Sequence, residues 1–286
     1  MKTTSFVPAH ITGFFEIYWD EDILKTGARG AGVVIDKGAY TTVEVRKGEG
    51  ITIFVDGKPC ECQTTKSVIK SIRISEECNV NVSHRTEVPV KYGFGVSGAG
   101  ALGAALALNR VLNLGMDITQ CGEIAHHAEV INKTGLGDVI AEITGGLVIR
   151  MEPGAPGIGK TKVIPCEDYI VAFLVGEEME TKAILGDPKK IRDINRIGRG
   201  CVKLLQKKPT VNNFLRLSKY FAFKTGLMSK KVYSVIKNLE RKGIPSSMVM
   251  LGNAVFTITS RPEKVIEKVD YKAILSGIDT RGGRII

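Results

Sequence analysis

Pro89-Val90-Lys91-Tyr92-Gly93-Phe94-Gly95-Val96-Ser97-Gly98-Ala99-Gly100-Ala101 is the stretch on which the reading of this chain turns. Four glycines fall within eight residues and lead into an Ala/Leu-rich run from Ala101 to Leu112, the pattern of a helix. Glycine lets the backbone take left-handed turns and approach a ligand closely. The first turn of a helix exposes amide N–H groups that favour negative charge. A phosphate is therefore the first ligand this segment predicts.

The chain spells two other phosphate-loop patterns, and their surroundings exclude both. Gly93-x-Gly95-x-x-Gly98 is the dinucleotide fingerprint, which requires a second strand with an acidic end about 20 residues further on. Instead Asn113-Leu-Gly-Met-Asp117 leads into a second helical pattern, Ile118 to Asn132. Asp117 is placed to be its N-cap, with Gln120 completing a capping box. Gly154-Ala-Pro-Gly-Ile-Gly159-Lys160-Thr161 spells a Walker A loop letter for letter. Such a loop must open a helix, but Lys162-Val-Ile-Pro165 is β-branched and then broken by proline. With a strand pattern upstream at Gly146–Met151, the segment predicts a hairpin loop.

The 286 residues, 43% hydrophobic and 24% charged, are ordinary for a globular chain large enough for two domains. No apolar run approaches the ~18 residues of a membrane span, and the first residues lack a signal peptide's apolar stretch. The expectation is a cytoplasmic protein with no membrane partner. Six cysteines show no Cys-x-x-Cys spacing, and Cys60-Glu-Cys62 is too close for a tetrahedral zinc clamp, so reduced thiols are expected. The net charge of +10 is unevenly spread. Between Thr181 and Lys242 lie 17 Lys/Arg and three acids, a net +14, which leaves about −4 elsewhere. Phe214, Tyr220, Phe221, Phe223 and Tyr233 fall at spacings that suit helix burial rather than base stacking. Anionic metabolites are favoured as partners over nucleic acid.

Strands are predicted at Gly32–Asp36, Tyr40–Arg46, Ile51–Val55, Asn79–Ser83, Gly146–Met151, Tyr169–Val175, Met248–Leu251 and Ala254–Thr259. Helices are predicted at Thr64–Ile74, Gly98–Leu112 and Thr119–Asn132, in a block from Pro188 to Lys242, and near Glu263–Val269. The fold class is α+β. Two domains are expected, 1–165 with the glycine-rich loop and 166–286, each a mixed or antiparallel sheet with helices packed on it.

The stretch from Pro89 to Ala99 resembles the phosphate loop of the GHMP kinases, in which Pro-x-x-x-Gly-Leu-Gly-Ser-Ser-Ala-Ala opens a helix that cradles nucleotide phosphates. The resemblance implies ATP contacts at Pro89, Gly93, Gly95, Val96, Ser97, Gly98 and Ala99. Thr134-Gly-Leu-Gly137-Asp138, seven residues before Gly145-Gly146, is similar to the Ser-Gly-x-Asp … Gly-Gly segment of mevalonate kinase and implies Asp138 as catalytic base. An alcohol attacking a γ-phosphoryl group needs such a proton acceptor. The alternative for Asp138 is a helix N-cap. The family likewise implies Mg²⁺ held by Ser97 and Glu129; Glu123 and Glu142 are rival acids, each equally readable as solvated. Phe6-Val-Pro-Ala-His10-Ile-Thr-Gly-Phe-Phe-Glu16 occupies the place of the family's first motif, Pro-Gly-Lys-x-x-Leu-x-Gly-Glu-His.

Within the superfamily this segment, Ala28-Arg29-Gly-Ala-Gly32 and Ser247-Met-Val-Met-Leu-Gly252-Asn253 resemble the archaeal-type pantoate kinases over essentially the whole chain. That likeness implies a two-domain, dimeric kinase acting on pantoate, with substrate contacts at His126, Arg150 and Thr181, and with Ala28 where serine is expected. The alternatives are a sister kinase acting on homoserine, mevalonate or a sugar, a ligand-sensing member of the fold, or a nucleic-acid-binding protein.

Overall fold

The computed structural model describes residues 1–72, 74–75, 77–177 and 188–286. Two long antiparallel strands, β1 (Lys2–Tyr18) and β2 (Gly27–Lys47), form the backbone of the larger sheet. The sequence pattern divides this region differently, with two strands in place of β2 and none before Gly32. Two bulges account for the difference. The register shifts between Pro8 and Ala9, passing over Asp36 and Lys37, and again between Thr12 and Phe14 at Gly13. Proline cannot donate to a ladder and glycine weakens one, so both residues sit where pairing is already interrupted.

β3 (Ile51–Val55) and β4 (Lys58–Pro59) make a hairpin whose turn residues Asp56 and Gly57 have φ of 48° and 77°, as a type I′ turn requires. β5 (Cys78–Thr86) lies between β2 and β3, antiparallel to the first and parallel to the second. β6 (Leu147–Glu152) pairs with β2 and with β7 (Lys160–Ile164). The Walker-like segment is thus a hairpin connection, and Lys160 pairs with Glu152 at 2.9 Å. The second sheet comprises β8 (Tyr169–Leu174), β9 (Ser247–Val249), β10 (Ala254–Thr259) and β11 (Ala273–Ser276), all antiparallel in the order β11-β8-β10-β9. β12 (Arg284–Ile285) returns to pair with β1 in the larger sheet.

The helices are α1 (Gln63–Ser71), α2 (Val96–Leu112), α3 (Ile118–Asn132), α4 (Asp138–Thr144), α5 (Pro188–Lys207), α6 (Val211–Lys224), α7 (Lys230–Arg241) and α8 (Pro262–Ile266). This is the α+β class the sequence predicts. α3 starts with the expected capping box of Asp117 and Gln120. α2 is buried over most of its circumference, which its alanines and glycines permit: Ser5 Oγ of β1 donates to Gly103 O at 2.8 Å. One core cluster joins α2 to Val7, Ala39 and Val43; a second joins Ile11, Phe14 and Phe15 of β1 to Phe214 and Phe221 of α6 and Phe256 of β10. Among the described residues no helix is long and apolar enough to cross a membrane.

A turn near the C-terminal strand grips α4. Asp279 accepts hydrogen bonds from Arg281 N at 2.9 Å, Gly282 N at 2.8 Å and Arg284 at 2.9 Å, while Gly283 N donates to Glu142 O at 3.1 Å. The buried carboxylate thus organises a backbone that would otherwise be an open loop.

Two glycines of α5 give opposite expectations. A Cβ on Gly198 would lie 2.7 Å from the Phe15 carbonyl carbon, whereas one on Gly200 would meet nothing within 4 Å. Gly198→Ala should destabilise by about 1–3 kcal/mol through overpacking. Gly200→Ala should stabilise by about 0.5–1 kcal/mol, because glycine inside a helix carries extra chain entropy. Urea unfolding of the two variants checks both signs.

Candidate active site

A cavity of about 410 Å³ opens where β1, the start of α2, the α3–α4 turn, β6 and the β9–β10 connection meet. Its floor is the glycine-rich loop. Gly93 and Gly95 have φ of 82° and 67°, and Gly95 is the N-cap of α2. No side chain caps α2 and no acid stands in its first turn, so its leading amides are left for an anion. Gly93, Gly95, Val96, Ser97 and Gly98 line the cavity; Pro89 does not, and Ala99 is turned into the core at 0% exposure.

Ser97 Oγ and Thr134 Oγ1 both donate to Glu129 Oε1, each at 2.6 Å. Thr64 of α1 stands beside them, 3.3 Å from Thr134 Oγ1. Glu129 is 1% exposed. Burial pushes its carboxyl up to about 7, the charge of Asp138 adds to the rise, and the two hydroxyl hydrogen bonds oppose it. Ser97 and Glu129 therefore form a pair of oxygen donors at which a cation would relieve a poorly solvated charge. Hard oxygen ligands of this kind suit Mg²⁺, which takes few protein ligands when phosphates and water complete its shell. Among the described residues no cluster of three or more His, Cys, Asp or Glu is arranged to hold a metal by itself.

Asp138 is the first residue of α4, but the N-cap is Gly137, so the carboxylate is not spent on capping. It lies 2.7 Å from His10 Nδ1. On the other side of the ring Arg150 Nη1 faces His10 Nε2 at 3.5 Å and donates to Gly137 O at 3.3 Å. A guanidinium can only donate, so Nε2 carries the lone pair and Nδ1–H donates to Asp138. Burial pulls the His10 imidazole below its ordinary range despite the nearby carboxylate, which keeps it neutral. For Asp138, burial acts upward, but the His10 hydrogen bond and the charge of Arg150 outweigh it and hold the carboxyl below its usual value. Gly32 makes the arrangement possible: a Cβ there would lie 2.7 Å from His10 Cε1. The Asp138 side chain remains 23% exposed, enough to meet a ligand in the cavity.

The sequence reading of Glu142 as an acid that could be solvated is corrected: the side chain is 0% exposed and neither carboxylate oxygen has a hydrogen-bond partner. It lies behind the loop, where a Cβ on Gly95 would stand 2.9 Å from Oε1 and one on Gly98 3.1 Å from Oε2. Burial, then the charges of Asp138 and Glu129, push its carboxyl well above the ordinary range.

Of the expected substrate contacts, Arg150 lines the cavity at 2% exposure. His126 shares α3 with Glu129 and is buried, but its Nε2 donates to Thr26 O at 2.8 Å and it does not line the cavity. Thr181 lies outside the described residues. Ala28, where serine is expected, is on the wall. Sequence reasoning missed His10, Thr12 and Thr134 as site residues. A signal existed for the first two, since residues two apart on a strand share a face. The site thus joins an anion cradle, an ionised carboxylate and an oxygen-donor pair, the equipment for moving a phosphoryl group onto a hydroxyl.

Residues 63–146 match the family GHMP kinases N terminal domain. The pantoate kinase of Methanocaldococcus jannaschii is 38% identical over 256 residues, covering 90% of this chain and 92% of that protein. A solved structure described as a phosphotransferase related to CoA biosynthesis pathway superposes with a TM-score of 0.90 at 32% identity, covering 100% of this chain and 99% of that one. Another, in complex with MVAPP, AMPPCP and magnesium, shares the fold with a TM-score of 0.74 at 12% identity, covering 100% and 99%.

The raised carboxyl of Glu129 fixes a sign for stability. A group whose folded value lies above its unfolded one contributes stability that is full below the ordinary carboxylate range and is lost as pH rises through about 7. Without ligands, the protein should therefore lose stability between pH 5 and pH 8, and Glu129→Gln should flatten the decline. Denaturant melts at several pH values measure it; equal slopes in both proteins would refute the expectation.

Proposed function

The chain belongs to the pantoate kinase family of the GHMP kinases, and we propose that the cavity above is where it transfers the γ-phosphoryl group of ATP to the primary alcohol of pantoate, yielding 4-phosphopantoate for coenzyme A synthesis. The observation that carries this placement is the Arg150–His10–Asp138 chain facing the glycine-rich loop within one cavity. Asp138, ionised and oriented by His10, accepts the alcohol proton as the alcohol oxygen bonds to phosphorus. The bond from phosphorus to the bridging oxygen breaks, and ADP leaves with the electron pair. The amides at the start of α2 hold the phosphates. Ser97 and Glu129 would hold Mg²⁺, which would supply neutralisation of the phosphate charge.

Pantoate carries a carboxylate, for which Arg150 is the cation on the wall. His126 acts at one remove, by fixing the carbonyl of Thr26 close to Ala28 in sequence; the contact of Thr181 rests on the family likeness alone. Homoserine differs by an ammonium that would face Arg150 unpaired, a larger penalty than the ~1–3 kcal/mol that an apolar methyl contact discriminates. We further propose a homodimer, a cytoplasmic location, and the two domains 1–165 and 166–286; sedimentation, fractionation and limited proteolysis test these in turn.

Coupled ADP release with pantoate, homoserine and mevalonate side by side tests the substrate. Turnover of pantoate is expected; efficient turnover of either rival with pantoate inert would sink the assignment. Asp138→Asn should lose ~10²–10⁴-fold in kcat while the KM for ATP and the melting temperature stay near wild type. Ser97→Ala and Glu129→Gln should combine to less than the sum of their separate losses, because either one already misplaces the shared ion. Additive losses with an unchanged Mg²⁺ requirement would argue against the pair.

A further inference from the structure

Six residues other than glycine have a left-handed backbone among those described, and three of them, Lys91, Lys133 and Leu251, line the cavity. Strained backbone of this kind concentrates at working sites, where a side chain is worth the conformation it must adopt. Lys133 is the informative one. It follows the last residue of α3 with φ 56°, and the backbone closes in the two-bond pattern of a glycine-ended helix. Lys133 N donates to Val130 O at 3.1 Å and Thr134 N to Glu129 O at 3.0 Å. Glycine or asparagine is the residue this position favours. The backbone gains nothing from a lysine there, so the reason for one must lie in its side chain.

Lys133 is exposed and lines the cavity with Ser97, Gly98, Glu129 and Thr134. Two other cations line the cavity, Lys91 and Arg150, and Arg150, 2% exposed, is the one assigned above to the pantoate carboxylate. Phosphoryl transfer spreads negative charge over three equatorial oxygens, and catalysis depends on cations that meet it there. We propose that Lys133 is a catalytic residue whose ammonium meets the transferring phosphoryl group, neutralising the charge on its equatorial oxygens. This rests on the phosphoryl-transfer reading above. No proton moves to or from Lys133; the alcohol proton goes to Asp138.

The test compares the full chain with Lys133→Gly and Lys133→Arg by coupled ADP release and thermal melting. Glycine relieves the left-handed strain, so its Tm should rise by about 1–3 °C. Its kcat should nevertheless fall on the order of 100-fold or more, with both KM values within about threefold of wild type. Arginine should recover at least about tenfold of that loss. A glycine variant with kcat within threefold of wild type overturns the assignment. So does a loss confined to the KM for pantoate, which would make Lys133 a carboxylate contact, or a fall in Tm with arginine as impaired as glycine, which would make it structural. If the wild type turns over no alcohol with ATP, the underlying reading falls and takes this one with it; an active wild type beside an equally active Lys133→Gly sinks this one alone.

Discussion

Three ionisable side chains from three separate elements, Arg150 of β6 and His10 of β1, both buried, and Asp138 of α4, half-buried at the cavity, stand in a line, and the surrounding architecture is arranged to let them meet. Removing such groups from water is costly unless each finds a partner in good geometry. His10 has one ring nitrogen for each neighbour, so a single neutral imidazole satisfies a cation on one side and an anion on the other. The glycines nearby then have a reason. Gly32 leaves room for the ring, and a Cβ on Gly137 would lie 2.9 Å from Arg150 Nε.

The same enclosure sorts the carboxylates. Asp138 is held below the ordinary range by His10 and Arg150, whereas Glu129 and Glu142, close by but without a cationic partner, are pushed above it by burial and by the charge of Asp138. Environments that drive neighbouring acids apart allow one to serve as a proton acceptor while others remain neutral or await a metal. A second ionised acid behind the glycine loop would repel the phosphates that the loop amides attract. Glu142, neutral and packed against the Cα side of Gly95 and Gly98, fills that space without opposing the amides' field.

Much of this was readable from the chain because it is local. The glycine run, the capping box at Asp117 and the proline that stops any helix after Thr161 are settled within a few residues, and the structure agrees with each. What the sequence concealed depends on distance. His10 and Asp138 stand 128 residues apart, and nothing in either neighbourhood announces the other. β1 and the continuity of β2 were hidden by bulges at Pro8 and Gly13, which break the alternation that marks a strand. The burial of Glu142 was hidden because α4 spans only Asp138–Thr144, too short for its periodicity to declare an inner face.

The grip of the Asp279 turn on α4 has a consequence for the order of assembly. During synthesis the glycine loop, α3 and α4 leave the ribosome well before residues 279–283, so the helix bearing Asp138 can form without the contact that Gly283 makes to Glu142 O. Its last turn is then free to fray, and the short helix that carries Asp138 is not yet anchored. Competence is thereby postponed until the last strand has been laid beside the first. A nascent or prematurely terminated chain could fold around its phosphate loop and bind nucleotide, yet it would not hydrolyse it idly for want of a fixed base.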